Sequence, residues 1–529
     1  MSNSIYLINP KADFPNYYSA EVVAHLGLSP TAFIADLVIT TVAALIPDDF
    51  EVTLCDEHIT PVDFDTSAEV IGITGKSSQV ARMIELAQAF RERGKIVMIG
   101  GPYASLSPEA VRPYADILVR GEIESLAAQL FADLRDDCWQ AEYFGGQPDL
   151  RHSPLPRWDL YANDRALTGC VQTARGCPFE CEFCDVIQYA GRKQRHKSVE
   201  QILAELDVMY KYGYSTVFLA DDNFTVYRRR TKKLLLALRE WNNRQPEGRL
   251  TFSTQLSIDT AREDEILQLC AEAGIDYVFI GIETPNEESL RETKKRQNVG
   301  INLLEQIERF LDHGIAVMGG MIVGFDSDGL DIFQRQYEFA MATPIPIFTL
   351  GALVAPAATP LYDRMERENR LINKSHNLNG ATANPWMTNI IPQQMSQEEL
   401  LTGMRWLGNQ LYHPAAFGKR ILQFIERCQP LPELQLRTTR RKVEVEMMSV
   451  IQDVSRLGAE ESKMFIDVIK ASIQKPALQR IIMHMMFQYR QIRYMYKQGQ
   501  FWEPHLAQQP QPIFQQPVVP NMMRVPVMA

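Results

Sequence analysis

No uninterrupted apolar run in these 529 residues reaches the roughly 20 that a membrane-spanning helix needs. The best candidate, residues 33–46, is shorter and is broken by Asp36, so no transmembrane segment is expected. Positive charge is also lacking. The formal net charge is −11, which argues against a nucleic-acid partner, because such binding depends on neutralising phosphates. No secretion signal is evident, so the eight cysteines are expected in a reducing cytoplasm rather than in a disulfide framework. What remains is a globular composition, 46% hydrophobic and 22% charged, in a chain too long for one ordinary core. Two or three domains are expected.

The first domain, residues 1–140, alternates strands with helices. Residues 4–8 form a short apolar run ending at Asn9-Pro10 and read as a buried parallel strand. A helix is expected from Ser29-Pro30 to just before Pro47, carrying Phe33, Ile34, Leu37, Val38 and Thr41 at helical spacing. Strands follow at 51–55 and 69–73, then a helix at 78–93 and strands at 96–99 and 116–119. The pattern predicts a doubly wound parallel sheet with a ligand across the carboxyl ends of its strands. Thr74-Gly75, Gly100-Gly101 and Gly121-Glu122 all fall on that edge, where glycine lets a ligand approach the backbone. One such pair is usually only a tight turn; three on one edge make the case for a site.

Residues 141–168 are rich in proline and aromatics without periodicity and read as a linker. From 169 to 370 the alternation resumes in six or seven β/α repeats, predicting an open parallel barrel with its chemistry at the strand ends. Asp221, Asp222 and Asn223, then Ser253 and Gln255, then Glu283 and Asp326 stand at those ends. Residues 371–503 have helical spacing and many methionines, which read as adaptable core packing, with an apolar lid as the functional rival. The Pro- and Gln-rich stretch 504–529 reads as a disordered tail.

At the start of the barrel lies Gly176-Cys177-Pro178-Phe179-Glu180-Cys181-Glu182-Phe183-Cys184-Asp185. Three cysteines at C-x3-C-x2-C spacing on one loop can converge on a single metal centre. An iron–sulfur cluster held by three thiolates would leave one iron open. Zinc is the natural rival but wants a closed set of four, and unliganded thiols are the third reading.

Over the longer run from Ala174 through Asp185, and on through Tyr189-Ala190-Gly191-Arg192-Lys193, the chain resembles the radical S-adenosylmethionine (SAM) superfamily, in the branch carrying an N-terminal cobalamin-binding domain and closest in type to the hopanoid C-2 methylases. The resemblance implies that Cys177, Cys181 and Cys184 hold a 4Fe-4S cluster whose remaining iron is chelated by SAM, with Phe183 beside it. It places Asp221, Asp222 and Asn223 at the SAM amino group, Ser253 and Gln255 at the ribose and carboxylate, and Glu283 near the adenine. It assigns the glycine edge of the first domain to methylcobalamin. The implied reaction is C-methylation of an unactivated carbon in a small, bulky or apolar substrate, through a 5′-deoxyadenosyl radical, with electrons from a flavodoxin or ferredoxin. A non-methylating relative such as an oxidative cyclase, and a cobalamin- or zinc-binding sensor, are the alternatives.

Two departures bear on that reading. Other cobalamin proteins carry Asp-x-His-x-x-Gly after the first strand, whereas Asn9-Pro10-Lys11-Ala12-Asp13 stands here, so no histidine of this domain is expected on cobalt. His58, in Asp56-Glu57-His58, reads as a surface or hydrogen-bonded loop residue. Ala357-Ala358-Thr359-Pro360 replaces a common Pro-Gly-Thr-Pro. The basic segment 192–197 reads equally well as a partner for ligand anions or as a solvated loop.

Overall fold

Two all-parallel sheets carry the chain, and the carboxyl ends of both open onto one cavity. The computed structural model describes residues 4–372, 386–431, 436–437 and 441–510. The first sheet runs in the order β3-β1-β4-β5-β6-β7. Its strands are β1 (Ser4–Asn9), β3 (Glu51–Asp56), β4 (Val70–Thr74), β5 (Ile96–Gly100), β6 (Ile117–Arg120) and β7 (Glu142–Phe144). β1 is buried at every residue, as a central strand covered on both faces must be. The helix Val80–Glu92 covers one face with Val80, Met83, Leu86, Ala87 and Phe90, a stripe at helical spacing. Strand order reverses between β1 and its neighbours, which is where open α/β sheets hold ligands.

The second sheet runs β15-β14-β13-β12-β11-β8-β2. Its strands are β2 (Ala32–Ile34), β8 (Ala166–Val171), β11 (Thr216–Leu219), β12 (Thr251–Gln255), β13 (Ile275–Glu283), β14 (Ala316–Val323) and β15 (Phe348–Ala352). A small antiparallel pair, β9 (Ala174–Arg175) and β10 (Arg195–His196), brackets the cysteine loop. Helices follow the strands as expected, and Ser198 and Gln201 close the predicted capping box on the first of them.

The helix expected from Ser29 is not there. β2 instead pairs with β8, Ala32 against Ala166 and Ile34 against Thr168, and a shorter helix, Leu37–Ala43, starts on Asp36, whose Oδ1 accepts from the Ile39 amide at 2.8 Å. Arg165 takes the Pro30 carbonyl at 2.8 Å, holding the segment extended across the exposed edge of β8. A short apolar run fits either period, and the unpaired strand edge decided it. The stretch expected to be a structureless linker begins with β7 on the first sheet, and β8 starts before its end.

The helices Gln397–Tyr412, Pro414–Arg427, Lys442–Asp453, Ala459–Gln474 and Gln479–Gln498 match the predicted helical region. Met485, Met486 and Met495 are fully buried, so these methionines pack a core. The last helix packs on the second sheet at two of its strands: Phe487 stacks on Phe33 of β2, and Gln488 accepts from the Tyr277 hydroxyl of β13 at 2.8 Å. The expected tail does not begin at 504. Pro504–Gln508 is a helical turn, and Trp406 donates to the Gln509 carbonyl at 3.2 Å; the remainder of that tail lies outside the described residues.

Candidate active site

The cysteine loop is anchored from both sides. Gly176 enters it at φ +97°, and a Cβ there would lie 2.8 Å from the Lys193 carbonyl, so only glycine fits. The Cys177 amide donates to Gly191 O at 3.1 Å and the Glu182 amide to Thr293 O at 2.9 Å. The Glu182 carboxylate takes a two-pronged ion pair from Arg364, at 2.9 and 3.0 Å. Arg364 continues to Asp326, which Arg370 also binds. Asp326, a strand-end residue in the sequence reading, therefore ties the loop down rather than facing a ligand.

All three thiols are free of disulfides. Burial pushes Cys177 up to about 11 and Cys184 to about 12, so unaided they stay protonated at neutral pH, and a cationic centre is needed to draw the protons off. Among the described residues no three His, Cys, Asp or Glu side chains converge tightly enough for a single metal ion. Structural zinc takes four closed donors, whereas an iron–sulfur cluster spreads its thiolates around several atoms. Phe183 is half-buried, its ring 6.1 Å from Phe325.

The predicted strand-end residues divide. Asp221 is fully engaged by the protein: its carboxylate accepts from the Thr173 and Ala174 amides at 2.7 and 3.0 Å, shaping the entry to the loop. Asp222 gives one oxygen to the Gly176 amide at 2.7 Å and lines the cavity; burial raises it to about 6. Asn223 donates to Ser257 Oγ at 3.2 Å, and its Oδ1 is buried with no partner among the described residues. Such an orphan acceptor fits a ligand donor. Gln255 lines the cavity, and Ser253 is half-buried on the same strand. Glu283 ends β13 at φ +65° beside a register break, with its carboxylate 2.6 Å from Lys295 Nζ.

The cavity, about 670 Å³, is lined from both sheets. The first sheet contributes Gly72, Thr74, Gly100, Gly101, Gly121 and Glu122, and the barrel contributes Gln172, Asp221, Asp222 and Gln255. Gly101 sits at φ +94°, where a Cβ would lie 2.5 Å from Thr74 Oγ1. Gly75 stands just behind, its carbonyl accepting from the Tyr103 amide at 3.2 Å. Glu122 presents no free carboxylate. It bridges Arg175 at 2.7 Å and pairs with Arg195, joining the first sheet to both flanks of the cysteine loop. The basic segment divides: Arg195 pairs with Glu122 and Lys197 with Glu205 inside the scaffold, whereas Arg192, paired with Glu180, and Lys193 are exposed.

His58 also lines the cavity, its Nδ1 2.9 Å from Asp56 Oδ1, in keeping with a hydrogen-bonded loop residue. Burial disfavours its charged form, but the Asp56 carboxylate more than offsets this and raises its pKa. Around it Phe33, Ile34, Leu37, Val42, Met98 and Val119 supply an apolar wall. Lys295 and Gln297 were missed from the sequence, because Lys294-Lys295-Arg296 reads as solvated surface; the Arg175 pairing with Glu122 was missed because the two lie far apart in the chain.

The model of the radical SAM superfamily matches residues 171–340, and that of a domain of unknown function (DUF4070) matches 359–500. An uncharacterised methyltransferase of Synechocystis is 37% identical over 72% of this chain and 70% of its own length. The hopanoid C-2 methylase of Rhodopseudomonas palustris is 32% identical over 65% of this chain and 66% of its own. Among solved structures, OxsB, a cobalamin-dependent SAM radical enzyme, superposes with a TM-score of 0.59 at 16% identity, over 94% of this chain and 80% of that one. The methyltransferase TsrM from Kitasatospora setae gives 0.58 at 13%, over 94% of this chain and all of that one. These two likenesses concern the fold.

Proposed function

Because the chain belongs to the radical SAM superfamily, in its cobalamin-dependent methyltransferase branch, we propose that it methylates an unactivated carbon of a bulky, largely apolar small molecule, of the kind named by its hopanoid-methylating relative. The observation that carries this is the shared cavity, which the first sheet and the barrel line together and walls with aliphatic and aromatic side chains. Cys177, Cys181 and Cys184 would hold the cluster. Asp222, Asn223, Ser253 and Gln255 would meet SAM. The turns at Thr74, Gly100, Gly101 and Gly121 would bed the cobalamin. When bound, these groups supply one-electron and methyl-transfer chemistry that amino acids cannot.

The protein's own residues position and enclose. Asp222 offers its free carboxylate oxygen to a cationic donor, and Asn223 Oδ1 offers a second acceptor. Asp221 and the Glu182–Arg364–Asp326 chain hold the loop that carries the thiols. The apolar wall excludes water and would seat a substrate lacking polar handles. No helix among the described residues is long and apolar enough to cross a membrane; we place the protein in the reducing cytoplasm, with a flavodoxin- or ferredoxin-type donor.

Anaerobic incubation with SAM deuterated in its methyl group, together with polycyclic lipid candidates, tests the reading. A product carrying the deuterated methyl supports it. Turnover to a product of altered mass without that methyl would replace it with cyclisation.

A further inference from the structure

The turn after β13 reaches the cysteine loop with two side chains that the reading above leaves without a role. Gln297 donates from Nε2 to Cys181 Sγ at 3.5 Å. Its Oε1 is buried with no partner among the described residues, so no second hydrogen bond explains why the amide sits there. Lys295 and Glu283 form a pair 2.6 Å apart, with side chains 12% and 9% exposed. Gly281 makes the room, because a Cβ there would lie 2.3 Å from Glu283 Oε1 and 2.8 Å from Lys295 Nζ. The Lys295 charge interacts with Cys177, Cys181 and Cys184 alike. A buried ion pair is a poor way to gain stability, and Lys295 stands two residues from Gln297, in the turn that touches Cys181.

We propose that Gln297 and the Glu283–Lys295 pair are positioning residues that raise the reduction potential of the cluster. This rests on the cluster assignment above. Adding one electron makes the cluster and its thiolates more negative, so a hydrogen bond donated to sulfur and a nearby cation stabilise the reduced form more than the oxidised one.

Wild type, Gln297→Leu, Gln297→Glu and the double variant Glu283→Gln/Lys295→Met are purified anaerobically at full length. Each is assayed for iron and sulfide and titrated with dithionite under electron paramagnetic resonance, dithionite supplying the electron. In Gln297→Leu the ratio of reduced to oxidised cluster at a fixed potential falls about tenfold, the worth of one hydrogen bond to a charged acceptor. Gln297→Glu falls at least as far, and the double variant falls in the same direction. Unchanged midpoints in both Gln297 variants overturn the proposal. So does loss of the cluster in both, which would mark the turn as mere support. A double variant with the wild-type midpoint removes the ion pair from it. Absence of iron from the wild type would instead defeat the cluster assignment itself.

Discussion

The two rims that meet at the cavity are built differently. On the barrel side, charged side chains are dense, yet most of them hold one another: Glu182 with Arg364, Asp326 with Arg364 and Arg370, Glu283 with Lys295, Asp221 with backbone amides. On the first sheet's side the strand ends present Gly72, Thr74, Gly100, Gly101 and Gly121, with Asp56, His58 and Lys76 beside them and Glu122 turned across to the other rim. A rigid ionic frame suits a small charged ligand that must be placed accurately, while a glycine shelf suits a broad ligand held by shape. The contrast also shows that a carboxylate at a strand end is not thereby a ligand contact. Asp221 and Asp222 are adjacent; Asp221 accepts on both oxygens from Thr173 and Ala174, and among the described residues only Asp222 keeps an oxygen for something else.

The sharpest break between the rims is removal of a thiol. Cys181→Ala is expected to abolish iron binding and turnover while leaving cobalamin uptake on the other rim; iron assay and visible absorption report the two separately. Next in size is Arg364→Met. It leaves Glu182 and Asp326 facing each other with their main cation gone, at a cost of about 3 kcal/mol, read by urea denaturation.

The Asp222 carboxyl, raised by burial to about 6 from an ordinary 3.8, gives a pH signature. The folded state takes up this proton before the unfolded state does, so acidification from pH 7 towards 4 stabilises the fold through this group. Asp222→Asn should remove about 2 to 3 kcal/mol of that gain, seen as a flatter dependence of the thermal midpoint on pH. On the opposite rim, Gly101→Ala forces a left-handed residue into contact with Thr74. It should weaken cobalamin retention about tenfold, a strain of about 1 to 2 kcal/mol, without changing iron content. Smallest is Ala358→Gly. Ala358 holds φ +65° where glycine would be unstrained, and the substitution should stabilise by about 0.5 to 1 kcal/mol in thermal melts.

Much of the plan was readable in the chain because it is periodic. The buried run of β1, the stripe of the helix Val80–Glu92 and the capping box at Ser198 each declare themselves within a few residues. The cysteine loop was readable for a different reason: three cysteines this closely spaced on one loop suit convergence on one centre. What failed was local ambiguity. Residues 32–34 carry an apolar run compatible with helix or strand, and they became a strand because β8 offered an edge to pair with. Proline and aromatic content hid β7 in the same way.

The amino-acid order by itself determined the alternating elements, the three-thiol loop and the glycine turns, since each follows from contacts only a few positions apart. Which charges are spent on the scaffold and which face the cavity was decided by tertiary structure alone. Glu122 meets Arg175 and Arg195, Glu182 meets Arg364, and Gln297 meets Cys181 across separations of 53, 73, 182 and 116 residues. No local pattern encodes such pairings, because burial and the nearest partner set the fate of a charge, and both exist only after the chain has closed.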